Sequence, residues 1–198
     1  AKKRYILNVY NNEGVQYSVP QMKVMGLEMI KSSTPSAIRD KMKETIKLMV
    51  TGTEDEVQDY IADFRKEFKK LPIEEISFPR SVNGLKTYTD NIMIYTKGTP
   101  IHVKGSLLYN YLLNKHKLTN TYPIIKEGEK LKFTYLIQPN PINDTVISYP
   151  NRLPSEFGLD DYINYDLQFE KAFLDPIKII LNCMNWQAEK TNSLSNFF

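Results

Sequence analysis

The fold class is decided first at residues 4–25, whose sequence is RYILNVYNNEGVQYSVPQMKVM. Residues 4–10 and 15–25 are rich in Tyr, Ile and Val, which favour β-strands. The NNEG sequence of residues 11–14 is typical of a tight turn between two antiparallel strands. This stretch therefore predicts a β-hairpin.

Two amphipathic helices are predicted after the hairpin. Thr34 is expected to cap the first helix, with Pro35 at its first position, and Gly52 is expected to end it. Thr53 is expected to cap the second helix, and the two helices are expected to pack as an antiparallel pair. Their apolar stripes, at helical spacing, are Ile38, Met42, Ile46 and Met49, and then Val57, Tyr60, Ile61, Phe64, Phe68 and Leu71.

The rest of the chain is mainly helical in pattern. Its segments are predicted to be irregular (72–100), helix (103–115), strand (129–137), loop (138–158) and helix (160–184). Pro176 is expected to break or kink the last helix. The predicted fold class is α+β, with an N-terminal β-hairpin followed by a mainly α-helical part.

Composition limits the class of protein. The 198 residues are 41% hydrophobic and 12% aromatic, which excludes a disordered chain and is enough for a buried core. The single cysteine, Cys183, excludes an internal disulfide and a cysteine-based zinc site, and is typical of a reducing compartment. No apolar run reaches about 18 residues, and the first five residues lack a secretion signal. We therefore expect a cytoplasmic protein with no membrane partner.

Charge alternates along the chain although the net charge is only +3. Residues 1–50 carry nine Lys and Arg against four Asp and Glu, and residues 76–133 carry nine against three. Residues 51–75 and 134–198 each carry four against eight. If the two basic blocks share a face, that face would attract a polyanion; ordinary solvated faces of mixed sign are the alternative.

Catalytic motifs are absent from the sequence. It contains no glycine-rich phosphate loop and no nucleophile elbow, and His102 and His116 lack metal-ligand spacing with acids. The acidic pairs Asp55-Glu56 and Asp160-Asp161 stand at predicted helix starts, where the helix dipole accounts for them. No catalytic residue and no metal site are predicted.

Several segments, in order along the chain, carry a resemblance to a known family. They are Lys2-Lys3-Arg4-Tyr5, Met25-Gly26-Leu27-Glu28 through Lys31-Ser32-Ser33-Thr34-Pro35, Phe78-Pro79-Arg80-Ser81-Val82-Asn83, Thr99 to Gly105 (TPIHVKG) with Leu108-Tyr109-Asn110, Gly128-Glu129-Lys130-Leu131, and Tyr165 to Lys171 (YDLQFEK) with Phe173 and Pro176. Together they resemble the C-terminal part of family B DNA polymerases, in particular the replicative polymerases of T-even-type tailed phages.

The resemblance implies a domain organisation. Residues 1–30 would be the end of the palm, residues 31–186 the thumb, and residues 187–198 a flexible tail. The family's metal-binding carboxylates, its fingers and its exonuclease lie upstream of such a segment. The chain is thus expected to need no cofactor and not to be catalytic alone, with Mg²⁺ belonging to the complete polymerase. A split polymerase, whose upstream half is a separate partner in the cytoplasm of an infected bacterium, and a truncated polymerase both fit.

The implied function is to grip primer–template duplex DNA without reading its sequence, which needs cations for phosphates and small polar donors. The residues that the resemblance assigns to DNA are Lys2, Lys3, Arg4, Tyr5, Lys31, Ser32, Ser33, Arg80, Ser81, Asn83, His102 and Lys104. Each group has a structural alternative: an ordinary basic strand, helix capping, a mobile surface loop, or a structural histidine.

The last residues suggest a second partner. Leu194, Phe197 and Phe198 follow the hydrophobic-x-x-aromatic-aromatic spacing of sliding-clamp peptides, and one helical turn would bring them together. Thr191 stands where many such peptides have Gln, and the aromatic pair could instead fold back onto the thumb. Two other functions stay open: a freestanding nucleic-acid-binding module, and an interaction module within a replication complex.

Overall fold

The computed structural model describes residues 5–90 and 92–190. Its helices are α1 (Ser36–Thr51), α2 (Glu54–Phe68), α3 (Ile73–Ile76), α4 (Leu85–Tyr88), α5 (Ile101–Lys115), α6 (Tyr165–Phe169) and α7 (Asp175–Cys183), with 3-10 turns at Glu28–Ile30, Ser155–Phe157 and Asp160–Tyr162 and a π-helical turn at Glu170–Leu174. Its strands are β1 (Tyr5–Asn12), β2 (Val15–Met25), β3 (Phe78–Ser81), β4 (Lys130–Tyr135) and β5 (Val146–Tyr149). The α+β class, with an N-terminal hairpin, is confirmed.

The predicted hairpin is formed by β1 and β2, which pair antiparallel with Tyr5 opposite Met25. Glu13 and Gly14 turn the chain with φ values of 53° and 89°. Positive φ at both central residues is the signature of the type I′ turn, whose twist matches that of the flanking strands. The local sequence is therefore sufficient to specify this hairpin.

Residue contacts divide the chain into two compact units. The first unit holds the residues up to Phe68 and those from Glu170 onward, and the second unit holds Lys69–Phe169. Unlike the predicted division at residues 30 and 186, which stays a prediction, this division places the hairpin with α1, α2 and α7.

The core of the first unit confirms the predicted stripe of α1 and most of that of α2; Tyr60 is only half-buried, and Leu71 lies beyond the end of α2. All four stripe residues of α1 are buried, as are Val57, Ile61, Phe64 and Phe68 of α2. The Phe64 ring packs edge-on against Phe68, at 5.8 Å between centroids, and against Phe173, at 4.9 Å. The Lys41–Glu67 ion pair (2.8 Å) joins the start of α1 to the end of α2, as the expected antiparallel packing requires.

The two predicted helix caps have different outcomes. The Thr34 cap is wrong: Pro35 occupies the cap position, α1 starts at Ser36, and no side chain caps it. Before α2, Thr53 and Glu56 form a reciprocal capping box. The Thr53 amide donates to Glu56 Oε2 at 2.7 Å, and the Glu56 amide donates to Thr53 Oγ1 at 3.4 Å.

The second unit contains an antiparallel sheet in the order β3–β4–β5. The expectations of irregular chain at 78–81 and loop at 146–149 are wrong, because each segment forms a strand there. Each strand is only four residues long, so its pattern is too short to show a period. Pro79 is tolerated because β3 is an edge strand.

Helix α5 and Gln168 cover opposite faces of this sheet. A Cβ atom on Gly105 of α5 would lie 2.5 Å from Ser148 Oγ and 2.7 Å from Ser148 N, so only glycine permits this approach of α5 to β5. On the other face, the buried Gln168 amide donates to Ile76 O at 2.6 Å. The sheet is thus fixed by packing from elements distant in sequence.

The predicted helix over 160–184 is interrupted. Its helical part begins at Tyr165 and changes to a π-helical turn at Glu170–Leu174, and α7 then starts with Pro176 in its first turn. Proline lacks an amide hydrogen and is therefore tolerated in a first turn. The expected break at Pro176 takes the form of this change in helix type.

The sequence predicts a flexible segment from residue 187, whereas the residues up to 190 contact α2. The Gln187 amide donates to Glu54 Oε1 at 2.6 Å, and Glu189 pairs with Arg65 at 2.6 Å. Lys190 pairs with Asp59, also at 2.6 Å. Acidic and basic side chains of α2 thus bind this part of the polar segment.

Candidate nucleic-acid interface

Two groups of the predicted contact residues lie outside the described residues. They are Lys2, Lys3 and Arg4 of the basic start, and Leu194, Phe197 and Phe198 of the clamp peptide. Both assignments stay predictions.

In the first unit, the predicted contacts of the palm-to-thumb segment surround the start of α1. Lys31 binds Glu28 Oε1 at 2.6 Å, and its side chain is 42% exposed. Ser32 is exposed and Ser33 half-buried. The Thr34 amide donates to Lys31 O, which forms a turn directly before α1. Phosphate would therefore compete with Glu28 for Lys31.

Tyr5 lies at the other end of the hairpin from the turn, half-buried and opposite Met25. Its ring is thus partly covered within the first unit. The predicted contact between its hydroxyl and DNA stays a prediction.

In the second unit, the structure brings Arg80 and His102 together, although 21 positions separate them in sequence. The Arg80 guanidinium lies 5.8 Å from the centroid of Phe78 and 5.9 Å from that of Phe133. These two rings stack on each other at 5.2 Å, and the His102 ring lies 6.4 Å from Phe133. An aromatic platform therefore supports both polar side chains.

The platform also sets the charge states. Burial lowers the pKa of His102, and the nearby Arg80 cation lowers it further. Burial lowers the pKa of Arg80 as well, but a guanidinium stays charged at any physiological pH. At neutral pH this cluster therefore presents one fixed cation beside a neutral imidazole.

Strand pairing also reveals a cation that sequence reasoning missed, on the sheet face opposite to Arg80 because side chains alternate along a strand. Ser81 of β3 pairs with Lys130 of β4, and both are exposed. Asn83 is exposed two residues further on. The sequence did carry a signal for Lys130, because it stands in a basic block and in the segment Gly128-Glu129-Lys130-Leu131, which resembles the polymerase family. Its position beside Ser81 could not be inferred while β3 was predicted to be irregular.

A carboxylate occupies the backbone donors next to Asn83. Glu127 accepts hydrogen bonds from the amides of Gly84 and Leu85, the latter at 3.0 Å. These amides are therefore unavailable to a phosphate. A DNA contact in this region would therefore have to come from the side chains of Ser81 and Asn83.

Lys104 lies in an ionic network. Its Nζ is 2.6 Å from Asp144 Oδ1, and the Tyr95 hydroxyl donates to Asp144 Oδ2 at 2.5 Å. Burial alone would lower the pKa of Lys104, but its hydrogen bonds with Asp144 and Tyr95 raise it above the usual value. Lys104 is therefore a structural cation, and its predicted DNA contact would compete with a carboxylate that is nearly fully buried.

The described residues offer no group of three or more His, Cys, Asp or Glu that could hold a metal ion. Among the same residues, no helix is long and apolar enough to cross a membrane.

Comparison with known proteins gives two matches over the full chain. The DNA-directed DNA polymerase of Enterobacteria phage T4 is 31% identical over 202 aligned positions, and that of Escherichia phage RB69 is 34% identical over 201. The predicted resemblance to part of the T-even-type phage DNA polymerases is confirmed. Each alignment covers 100% of the chain but only 22% of the relative's length. No family model matches the chain.

Proposed function

We propose that this chain is the duplex-gripping part of a phage replicative DNA polymerase. The observation that carries the proposal is the similarity of the whole chain to the T4 and RB69 DNA polymerases. In this function the chain holds the primer–template duplex and contributes no catalytic group of its own.

The chemistry of the second unit supports this function. Arg80 and Lys130 supply cations, Ser81 and Asn83 supply small polar donors, and His102 supplies a neutral ring nitrogen. Contacts of this kind with phosphates and sugars position a duplex without reading its bases. The aromatic rings under the Arg80 guanidinium restrict its motion, which lowers the entropy lost on binding a phosphate.

The hairpin supports a role for an upstream polymerase half. Among the described residues, neither β1 nor β2 pairs with a third strand, so both edges present unpaired backbone groups. Leu7, Tyr10 and Val19 are 49%, 61% and 74% exposed. Ile6, Val9 and Val24 are only half-buried. An added strand or apolar surface from the partner would cover this hairpin.

The binding test measures duplex affinity at several salt concentrations, with fluorescein-labelled DNA of two unrelated sequences. We expect equal affinity for both sequences and a strong decrease with salt. Lys130→Ala and Arg80→Gln should each flatten the dependence of log affinity on log salt by about 0.9. Lys178→Ala, an exposed lysine in α7 of the first unit, is the matched control and should leave the slope unchanged. Salt-insensitive binding, or no binding, would overturn the DNA-gripping function and favour an interaction module.

The second test is reconstitution. The isolated chain should not extend a primer with Mg²⁺ present, whereas a mixture with an upstream polymerase half should. Deletion of residues 192–198 should leave folding and duplex affinity intact but remove the stimulation of processivity by a sliding clamp. If processivity survives, the proposed clamp contact of Leu194, Phe197 and Phe198 is wrong. If the chain alone binds duplex tightly and no polymerase activity can be reconstituted, a freestanding binding module is the better function.

A further inference from the structure

The loop between α4 and α5 exposes two large apolar side chains. Ile92 is 96% exposed and Met93 is 60% exposed. No other large apolar side chain in the described part of the chain is as exposed as Ile92. Two adjacent apolar side chains exposed in this way cost free energy in water, and burial against a binding partner would recover it. We call Ile92 and Met93 the apolar tip.

Hydrogen bonds fix the loop that carries the apolar tip. Asp90 Oδ1 accepts the amides of Ile92 at 2.7 Å and Met93 at 3.0 Å. The Thr96 amide donates to Tyr88 O at 3.0 Å, which closes the base of the loop. Tyr95 joins the loop to the buried Asp144. The backbone amides of both tip residues are thus held by Asp90, which reduces the entropy that they would lose on binding.

The charges around the tip favour an anionic partner. The Asp90 carboxylate is engaged by the two tip amides, and these hydrogen bonds lower its pKa. Lys86 and Lys97, on either side of the tip in sequence, are exposed and form no ion pair with any residue that the structure describes. An apolar tip flanked by two available cations matches a surface with apolar walls between rows of phosphates.

We propose that the apolar tip lies in the minor groove of the bound duplex and packs against its deoxyribose walls, with Lys86 and Lys97 on the flanking phosphates. This inference rests on the proposed function and adds a contact that no cation supplies. Deoxyribose edges are apolar and identical at every base pair, so the contact is independent of sequence. Other minor-groove proteins insert Ile and Met side chains as wedges between base steps, so this groove accepts apolar side chains of this size.

The first experiment separates apolar from ionic binding. Ile92→Ser combined with Met93→Ser should weaken duplex binding about tenfold, since apolar area of two side chains is no longer buried. The slope of log affinity against log salt should not change, because no phosphate contact is lost. Lys86→Ala combined with Lys97→Ala should reduce that slope. Ile179→Ser, at an apolar residue of α7 that is 54% exposed, is the matched control.

The second experiment tests the sugar. The minor groove of an RNA duplex displays 2′-hydroxyl groups, which would place polar groups against the tip. The wild-type chain should therefore prefer a DNA duplex to an RNA duplex of the same sequence. The double serine variant should lose most of this preference, whereas Ile179→Ser should keep it.

Three outcomes would overturn the inference while leaving the proposed function intact. They are wild-type duplex affinity in the double serine variant, tip-dependent binding to vesicles of anionic lipid without an effect on DNA, and tip-dependent self-association in sedimentation. Absence of duplex binding by the wild-type chain would overturn both. Circular dichroism and thermal unfolding establish that each variant is folded before its affinity is measured.

Discussion

The two sheets of this molecule arise in opposite ways. The β1–β2 hairpin was predicted from residues 4–25 alone, yet Leu7, Tyr10, Val15 and Val19 on it are exposed. The β3–β4–β5 sheet was largely missed, yet every residue of β5 is buried, and α5 lies directly against it. Local sequence signals and burial are therefore separate properties. The first specifies where a strand forms, and the second determines how stable the strand is.

The largest expected contrast is in amide hydrogen exchange. Amides of β4, which has a strand on each side, should exchange about a hundredfold or more slowly than amides of β1 and β2, which have unpaired edges. Exchange monitored by NMR or mass spectrometry on a verified monomer measures this directly. Equal protection of the two sheets would mean that the hairpin is stable without a partner.

Removing the close contact under α5 should weaken the better-packed sheet. Gly105→Ala places a methyl group within 3.0 Å of the β5 backbone and should lower the free energy of unfolding by about 1–3 kcal/mol. Gly14→Ala in the hairpin turn is the control: it meets no atom within 4 Å, and the left-handed backbone there should cost about 1 kcal/mol. Urea unfolding measures the free energy of unfolding of both variants. A larger decrease for Gly14→Ala than for Gly105→Ala would contradict the expected difference between the two sheets.

Two buried tyrosines test how well the second unit satisfies its polar groups. Tyr149 donates to Ser77 Oγ at 2.7 Å, whereas the buried Tyr109 hydroxyl has no hydrogen-bond partner among the described residues. Burial raises the pKa of both, that of Tyr109 to about 12. Tyr149→Phe should cost about 1 kcal/mol, whereas Tyr109→Phe should be neutral or stabilising. Thermal unfolding of the two variants measures these changes in stability. Equal losses of stability would contradict the difference in hydrogen bonding between the two hydroxyl groups.

The smallest expected effect is the pH dependence from His102. Its pKa is lowered in the folded chain, so the unfolded chain binds the proton more readily. The contribution of neutral His102 to the free energy of unfolding is complete above about pH 6.5, the usual pKa of a histidine in an unfolded chain. It decreases as the pH falls from there towards the lower pKa that His102 has in the folded chain. His102→Gln should remove this component of the unfolding curve between pH 7 and pH 5. An unchanged pH dependence would place His102 outside the Arg80 cluster in solution.

The sequence predicted features that depend on residues near one another in the chain. The Glu13-Gly14 turn, the stripes of α1 and α2 and the Thr53 cap are of this kind. Sequence-based prediction failed where residues distant in the chain determine the structure. Thr34 has the side chain of a helix cap, but α1 starts one residue later than predicted, after Pro35. Strands β3 and β5 form because β4 lies between them and pairs with both. For the same reason Arg80 and His102 were predicted as separate contacts, and Lys130 was missed, because only strand pairing brings it to Ser81.

The division of the chain has a consequence for its synthesis. The second unit is one continuous segment, whereas the first unit is completed only when the residues after Phe169 have been made. Phe64 leaves the ribosome more than a hundred residues before its packing partner Phe173. The second unit can therefore fold while the amphipathic pair α1 and α2 still exposes its apolar stripes. Nascent chains stalled before and after residue 184 should differ in protease resistance in the first unit alone, and this interval is when a chaperone would bind.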